Sequence, residues 1–263
     1  MLVAEADIAG DAALLQRTVR EAGALALTMF RTEIRQWTKG QSSPVSEADI
    51  AVDELFRLRL QSATPDYGWL SEESADDRVR LTKQRTWIVD PIDGTRAYLG
   101  GREDWSICAA LVEDGRPRLA AVFAPATDEF FFAADGQGAT RNDMPISASK
   151  GGDFVIDRMA GPHFLLNRVR GATSPELRNF KIGSLALRIS RVAQGALDAA
   201  FVGGNSRDWD LAAADLLLRE AGGLLTTLRG DTLLYNRTEV THEVLLAAGR
   251  ERHAALVAHL ARH

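Results

Sequence analysis

Residues 87–95 read Trp87-Ile88-Val89-Asp90-Pro91-Ile92-Asp93-Gly94-Thr95, a short apolar run that enters a turn of acid, proline, acid and glycine. The apolar run suits a buried strand. Pro91 restricts φ and lacks an N–H group, and Gly94 permits a tight turn that a side chain would obstruct. Asp90 and Asp93 can therefore converge on one point at the end of a strand.

Three further acids stand where a divalent cation would need them: Glu72 and Glu73 in one turn, and Asp210 far downstream. Hard cations such as Mg²⁺ take carboxylate, water and phosphate oxygens as ligands, and a pair of such ions can bind the attacking and leaving oxygens of an in-line displacement. Taken singly, each acid is explained as well by an exposed loop or a helix cap. Their joint occurrence with Asp90 and Asp93 favours Mg²⁺-dependent chemistry on a phosphate.

Composition limits the classes of protein to which this chain can belong. Its 263 residues, of which 46% are hydrophobic and 25% charged, suit one large domain or two lobes with a shared core. A formal net charge of -5 argues against general binding of nucleic acid. No run approaches the roughly 18 apolar residues of a membrane span, and the N-terminus lacks a secretory pattern. A single cysteine, Cys108, fits a reducing compartment, so we expect a cytoplasmic protein.

Hydrophobic periodicity predicts the first lobe, residues 1–150. Residues 7–31 have the spacing of an amphipathic helix, and a second helix is expected to start near Asp49. Apolar segments on both sides of residues 113–117 form a hairpin pattern, and residues 130–132 predict a further strand. The first lobe should therefore consist of helices packed on a sheet rich in antiparallel pairs.

The glycine pair at residues 151–152 is the best candidate for a boundary, which leaves a second lobe over residues 151–263. Ser184 is expected to cap a helix whose start offers free N–H groups to an anion. A later helix, which carries Leu211, should close at the glycine pair 222–223. Short strands are expected at residues 155–156, 180–182 and 199–202.

In these motifs the chain resembles the inositol monophosphatase superfamily of Mg²⁺-dependent, lithium-sensitive phosphatases. Its first signature, Asp-Pro-hydrophobic-Asp-Gly-Thr, stands here as residues 90–95. Its second, Trp-Asp followed by a small-residue helix that ends in Glu-Ala-Gly-Gly, stands as residues 209–223. Glu72-Glu73-Ser74 matches the family's Glu-Glu pair, and residues 43–49 match the segment before its first acidic helix. The likeness extends from about residue 10 to about residue 247.

The resemblance implies an α/β (α+β) fold, namely a layered α/β/α/β/α sandwich, and a homodimer as the common arrangement. It implies a small-molecule phosphate ester as substrate, Mg²⁺ as cofactor, and no membrane or nucleic-acid polymer as partner. Asp49 and Thr95 resemble the pair that orients and deprotonates the attacking water, with Glu72 as a further catalytic group. The residues that look like metal ligands are Glu72, Asp90, the carbonyl of Ile92, Asp93 and Asp210.

Other positions resemble the substrate contacts of the family. Gly94 and Thr95 supply N–H groups like those of its phosphate cradle, and Gly183 and Ser184 resemble part of its substrate-facing wall. For Ser184, an ordinary helix cap is an alternative of nearly equal weight. Arg207, beside the second signature, is a candidate substrate contact, with an exposed arginine as the common alternative.

Substrate identity is where the family pattern changes. Inositol monophosphatases usually carry a glutamate seven residues before the last metal aspartate, where it contacts inositol hydroxyls, and this chain has Gly203 there. Residues 39–49 look more like bacterial 3'(2'),5'-bisphosphate nucleotidases. Three functions follow: a phosphatase with an inositol-1-phosphate-type substrate as the default, a nucleotidase acting on 3'-phosphoadenosine 5'-phosphate, or a regulatory binding protein with the same fold.

Overall fold

The fold has mixed sheets with helices between and outside them. The computed structural model describes residues 2–40, 43–153, 156–170 and 181–262. The helices are α1 (Leu2–Met29), α2 (Glu47–Phe56), α3 (Thr95–Leu99), α4 (His163–Arg170), α5 (Leu185–Ala193), α6 (Asp208–Glu220) and α7 (Arg250–Leu260). The π-helical turn Arg57–Gln61 continues α2, and short 3₁₀ turns lie at Val79–Thr82, Pro125–Thr127 and Ile156–Arg158.

The strands form two main sheets. The strands are β1 (Gln36–Lys39), β2 (Ser43–Ser46), β3 (Gly68–Ser71), β4 (Arg85–Asp93), β5 (Ser106–Glu113), β6 (Arg116–Ala124), β7 (Glu129–Ala134), β8 (Ala139–Arg141), β9 (Met144–Pro145), β10 (Met159–Ala160), β11 (Ala199–Val202), β12 (Ser206–Arg207), β13 (Gly223–Thr227), β14 (Thr241–His242) and β15 (Leu245–Gly249). The larger sheet has the order β3-β4-β5-β6-β7-β8-β9, and the smaller β10-β11-β15-β13. β1 pairs with β2, and β12 with β14.

Packing on both faces of each sheet produces five layers. One face of the larger sheet packs on α1 and α2, for example through Leu15 and Val52 against Trp87 and Ile107. Its other face packs on α5 and α6, which also cover the smaller sheet. The outer face of the smaller sheet packs on α4 and α7. The expected α/β/α/β/α sandwich is thus confirmed, and both middle helices carry apolar side chains toward two sheets.

Most of the predicted elements are present in the first lobe. The helix expected over 7–31 is α1, the hairpin is β5–β6, and the strand at 130–132 is β7. Within the larger sheet, β3 and β4 pair in parallel, and each of the other described pairs is antiparallel. The polar segment 39–47 before α2 has the composition of a loop, but its residues 43–46 form β2, which pairs with β1, and residues 41–42 lie outside the described residues.

Two of the expected strands in the second half were wrong where the structure describes them. Ile156 begins a 3₁₀ turn, while Val155 lies outside the described residues. Lys181 and Ile182 have no regular structure. The Lys181 carbonyl accepts from the Arg102 guanidinium, at 3.3 Å, and not from a neighbouring strand. Phe180 also lies outside the described residues. The division into lobes 1–150 and 151–263 stays a prediction.

Helix length and polarity bear on membrane insertion. In the described ranges, no helix combines the length and the apolar character that a bilayer crossing would need.

Candidate active site

Three of the predicted acids meet between the sheets. Asp90 and Asp93 lie at the end of β4, where the pairing with β5 shifts register between them, and Asp210 lies in the first turn of α6. One carboxylate oxygen of each lies within 4.8 Å of those of the other two. Because three carboxylates at this spacing repel one another strongly, they need a cation or protons to coexist.

Asp90 is the most deeply buried of these acids, with 1% of its surface exposed. Its Oδ1 atom is buried and accepts no hydrogen bond from any residue that the structure describes. Burial, followed by the charge of Glu72, raises the pKa of Asp90 well above its usual range. Since buried polar atoms almost always have a partner, this oxygen is suited to a cation, and the all-carboxylate donor set suits Mg²⁺.

Asp93 is held by the start of α5. Its Oδ2 accepts from the Ser184 hydroxyl and from the Ala186 N–H, both at 2.6 Å, and its Oδ1 accepts from the Leu185 N–H at 3.1 Å. Burial raises the pKa of Asp93, while these hydrogen bonds act in the opposite direction. The helix start therefore orients Asp93 rigidly toward the other acids.

The N–H groups expected to receive an external anion are thus bonded within the protein. Gly183 N–H donates to Asp104 Oδ2 at 2.6 Å, and Ser184 N–H donates to the Asp104 carbonyl at 2.9 Å. The expectation that these groups are free was wrong because Asp104 and Asp93 occupy them. The cap prediction for Ser184 is confirmed, since its hydroxyl accepts from the Leu187 N–H at 2.9 Å.

Asp210 occupies the third position of α6, because the helix begins at Asp208, before the Leu211 around which it was predicted. Its Oδ2 accepts from the Arg207 N–H at 2.7 Å, an arrangement typical of a capping box. Burial and then the charge of Asp93 raise the pKa of Asp210 to about 7. The side chain of Arg207 is exposed and donates to the Thr241 hydroxyl.

Glu72, in the turn that follows β3, completes the acidic group. Burial, then the charges of Asp210 and Glu73, raise the pKa of Glu72 to about 8. The carboxylate of Glu73 is neutralised by Lys39, whose Nζ lies 2.7 Å from it and donates to the Glu72 carbonyl at 2.7 Å. Within the described residues, nothing donates a hydrogen bond to the Glu72 carboxylate. It therefore adds an unneutralised acid to Asp90, Asp93 and Asp210.

Asp49 and Thr95 lie side by side, although they are far apart in the sequence. Thr95 Oγ1 is 3.3 Å from Asp49 Oδ1 and 3.1 Å from the Ile92 carbonyl. Asp49 Oδ2 accepts from the N–H and the hydroxyl of Ser46, at 2.8 and 2.6 Å. Burial raises the pKa of Asp49 to about 6, although the Ser46 bonds lower it. The pair can thus accept a proton near neutral pH.

Gly94 connects these groups and must be a glycine. Its φ of +93° is in the left-handed region, and a Cβ there would come within 2.9 Å of the Ser184 backbone nitrogen. Thr95 begins α3, so its N–H has no acceptor within that helix. Gly94 and Thr95, the predicted phosphate cradle, therefore form a tight turn whose backbone packs closely against the start of α5.

Sequence reasoning missed the residues that support the acids. Asp104 binds the Gly183–Ser184 backbone, and the Ser106 hydroxyl lies 2.8 Å from that of Ser184. These partners belong to segments that pair only in the folded chain, and neither contains a recognisable motif. No sequence signal was available to find them.

Comparisons with known proteins agree with this geometry. The family profile described as "Inositol monophosphatase family" matches residues 11–263. The chain is 37% identical over 205 residues to an inositol-1-monophosphatase from Rhizobium meliloti (strain 1021), an alignment that covers 73% of this chain and 75% of the relative. It is 29% identical over 235 residues to a 3'(2'),5'-bisphosphate nucleotidase CysQ from Aggregatibacter actinomycetemcomitans, covering 84% and 85%. The crystal structure of extragenic suppressor protein suhB from Bartonella henselae superposes with a TM-score of 0.81 at 26% identity, covering 94% and 96%.

Proposed function

Because this chain belongs to the inositol monophosphatase family, we propose that it is a Mg²⁺-dependent phosphomonoesterase that hydrolyses a small phosphorylated metabolite by attack of water. Family members of this kind are phosphoric monoester hydrolases. The observation that carries the proposal is the convergence of Asp90, Asp93 and Asp210, with a buried Asp90 oxygen that has no hydrogen-bond donor in the described part of the chain.

The acidic group would hold the cation. Glu72 contributes from the turn after the neighbouring strand β3 and Asp210 from the distant helix α6, and their raised pKa values reflect charge that a cation would neutralise. When bound, Mg²⁺ polarises the phosphate ester and favours ionisation of water. The residues assigned to it are Glu72, Asp90, the carbonyl of Ile92, Asp93 and Asp210.

The attacking water would be positioned by Asp49 and Thr95. Thr95 Oγ1 is within reach of the Asp49 carboxylate, and Ser46 holds that carboxylate from its other side. A water that donates to the Thr95 hydroxyl can pass its proton to Asp49, and the charge of Asp49 is among the causes that raise the pKa of Glu72, after burial and the charges of Asp210 and Glu73. The N–H groups of Gly94 and Thr95 would receive the phosphate.

We expect Thr95→Val to lower kcat by about tenfold to a hundredfold, because the change removes the hydroxyl and keeps the shape of the side chain. KM should change little, and Thr95→Ser should retain most of the activity. Steady-state rates of phosphate release with saturating Mg²⁺ measure the effect. Thr18→Val, in which a buried hydroxyl that donates to the Leu14 carbonyl is removed from α1, is the matched control. Full kcat in Thr95→Val would exclude this role for the hydroxyl.

Substrate selection is proposed to depend on the space at Gly203. Among the residues that the structure describes, the nearest neighbour of a Cβ at this position would be the Pro162 ring, at 3.7 Å, so the position accepts a Cβ without strain. The open position gives room for a leaving group larger than inositol, such as an adenosine phosphate. Inositol-1-phosphate remains the default of the family, and 3'-phosphoadenosine 5'-phosphate is the alternative that Gly203 favours.

A parallel phosphate-release assay tests the proposed function. The substrates are inositol-1-phosphate, 3'-phosphoadenosine 5'-phosphate, fructose-1,6-bisphosphate and histidinol phosphate, each with Mg²⁺ and with EDTA. We expect Mg²⁺-dependent release and at least a tenfold preference for one substrate. A site built to hydrogen-bond one substrate binds the transition state of another more weakly, because its buried polar groups are then left unpaired. Equal and weak rates on all four would instead support the regulatory binding protein.

Gly203→Glu should shift specificity toward inositol-1-phosphate by about tenfold relative to 3'-phosphoadenosine 5'-phosphate, because the carboxylate offers acceptors to ring hydroxyls and narrows the opening. The ratio of kcat/KM for the two substrates measures the shift. Gly204→Glu is the matched control, because a Cβ at the neighbouring position would meet only Val244, at 4.0 Å. An unchanged ratio in Gly203→Glu would show that position 203 does not face the leaving group.

Inhibition by millimolar lithium and a homodimeric arrangement rest on the resemblance alone, whereas a cytoplasmic location rests on the cysteine content and the N-terminal sequence. All three stay predictions. The substrate-facing roles of Gly183, Ser184 and Arg207 likewise stay predictions, and the exposed position of Arg207 leaves it accessible to a ligand.

A further inference from the structure

The acidic turn that carries Glu72 is bracketed by two serines that bind the same buried carboxylate. The hydroxyl of Ser71 donates to Asp53 Oδ1, and the hydroxyl of Ser74 donates to Asp53 Oδ2 at 2.7 Å. Asp53 is only 6% exposed. Both oxygens of one side chain are therefore used to hold the two ends of a four-residue turn.

Asp53 lies on α2, one helical turn after Asp49. Residues four apart on a helix project from the same face, so one face of α2 presents Asp49 to Thr95 and Asp53 to the acidic turn. The structure records no ion pair for Asp53 in the parts of the chain that it describes. Because a buried carboxylate without a cation depends on its hydrogen-bond donors, the two serine hydroxyls are bound to it firmly.

Further hydrogen bonds hold the backbone of the turn, and none of those made by the described residues involves the Glu72 carboxylate. The Glu73 N–H donates to Ser71 Oγ at 3.2 Å, and Lys39 binds the Glu72 carbonyl and the Glu73 carboxylate. The Glu72 N–H donates to the Val89 carbonyl of β4, at 3.3 Å. The backbone of the turn is thus fixed relative to β4, which carries Asp90.

We propose that Asp53 is a positioning residue, which holds Glu72 toward the cation through Ser71 and Ser74. The inference rests on the proposed function in that Glu72 is taken as a metal ligand. Residues that do not touch the metal but hold its ligands in place through hydrogen bonds typically contribute 10- to 100-fold to metal affinity. Asp53 would contribute in this way because the turn has no regular structure after β3 ends at Ser71.

Mg²⁺ affinity measured by calorimetry on the full chain tests the proposal, together with the melting temperature. Asp53→Ala should weaken Mg²⁺ binding by about 10- to 100-fold. Asp53→Asn, which keeps one acceptor, should have a smaller effect. Ser74→Ala removes one of the two serine hydroxyls that bind Asp53, together with a long contact from the Trp69 N–H at 3.4 Å, and should weaken binding by about threefold.

Tyr67→Phe is the matched control, since the Tyr67 hydroxyl donates to Asp11 at 2.8 Å just before β3 and does not contact the turn. It should lower the melting temperature and leave Mg²⁺ affinity unchanged. If Asp53→Ala likewise lowers the melting temperature without changing Mg²⁺ affinity, Asp53 has only a structural role and the proposal is overturned. Should Asp53→Ala not fold, unchanged affinity in both Asp53→Asn and Ser74→Ala would overturn it equally.

The wild-type protein separates this inference from the proposed function. If it binds Mg²⁺ but releases no phosphate from any ester, the proposed function fails and the Asp53 series still gives its answer. If the wild-type protein binds no Mg²⁺, both proposals are overturned.

Discussion

Asp90→Asn is expected to lower phosphate release by about 10³-fold or more, because a lost ligand removes about 4 kcal/mol or more of the charge stabilisation that a metal ion supplies. The same change should stabilise the metal-free protein near pH 8. Asparagine has the size of aspartate and carries no charge, and the Asp90 carboxylate faces Glu72 and Asp93 without a donor for its Oδ1 in the described ranges. Activity and stability should therefore change in opposite directions.

Asp90 is a sharper choice than Asp93 for this experiment. Asp93 accepts three hydrogen bonds at the start of α5, so its replacement would disturb the helix as well as the acidic group. Asp215→Asn is the matched control, because Asp215 is a buried aspartate of α6 whose partner is the Tyr235 hydroxyl, at 3.0 Å. Steady-state kinetics and urea unfolding with EDTA measure the two effects. Undiminished hydrolysis by Asp90→Asn would remove Asp90 from the proposed metal site.

In the absence of metal, the free energy of unfolding should fall as the pH rises from about 4 to about 8. Burial and mutual repulsion raise the pKa of Asp49 to about 6, of Asp210 to about 7 and of Glu72 to about 8. Unfolded carboxyl groups titrate near pH 4. Between these values the folded state binds more protons than the unfolded state, so the stability present below pH 4 is lost as these groups ionise.

The loss should amount to several kcal/mol between pH 5 and pH 8, since each unit of pKa difference is worth about 1.4 kcal/mol and three groups contribute. Saturating Mg²⁺ should restore stability at pH 8, because ligands that bind only the folded state stabilise it. Urea unfolding at several pH values, with EDTA or with Mg²⁺, measures both effects. A Glu72→Gln variant should show a flatter dependence. Stability in EDTA that stays constant or rises over this range would contradict the electrostatic description of the site.

The predictions that succeeded from sequence were those that depend on local chemistry. Periodicity located α1 and the β5–β6 hairpin, and the hydroxyl of Ser184 was expected to cap α5, as it does. The helix expected around Leu211 starts earlier, at Asp208, because Asp210 bonds back to the Arg207 N–H. At the described residues 156 and 181–182 the expected strands are absent, because short apolar runs do not specify whether a pairing partner is present.

For the acidic group, the residue types were evident from the sequence, and their environment was not. Asp90 and Asp93 differ little as residues of a motif. In the fold, one keeps an oxygen without a hydrogen-bond donor among the described residues, while the other is capped by the start of α5. Similarly, Ser71 and Ser74 are ordinary neighbours of Glu72 in the sequence, and only α2 brings Asp53 to them.

The sequence by itself determined a strand with acids at its C-terminal end, followed by a tight bend, since the φ of Pro91 and the positive φ allowed at Gly94 are properties of single residues. It also determined which faces of the helices are apolar. Only the tertiary structure decided which distant groups meet: Asp210 with Asp90, Asp49 with Thr95, and Asp104 with the N–H groups expected to be free. The physical reason is that backbone preferences act between neighbours, whereas desolvation and charge repulsion act through space, once packing has brought the segments together.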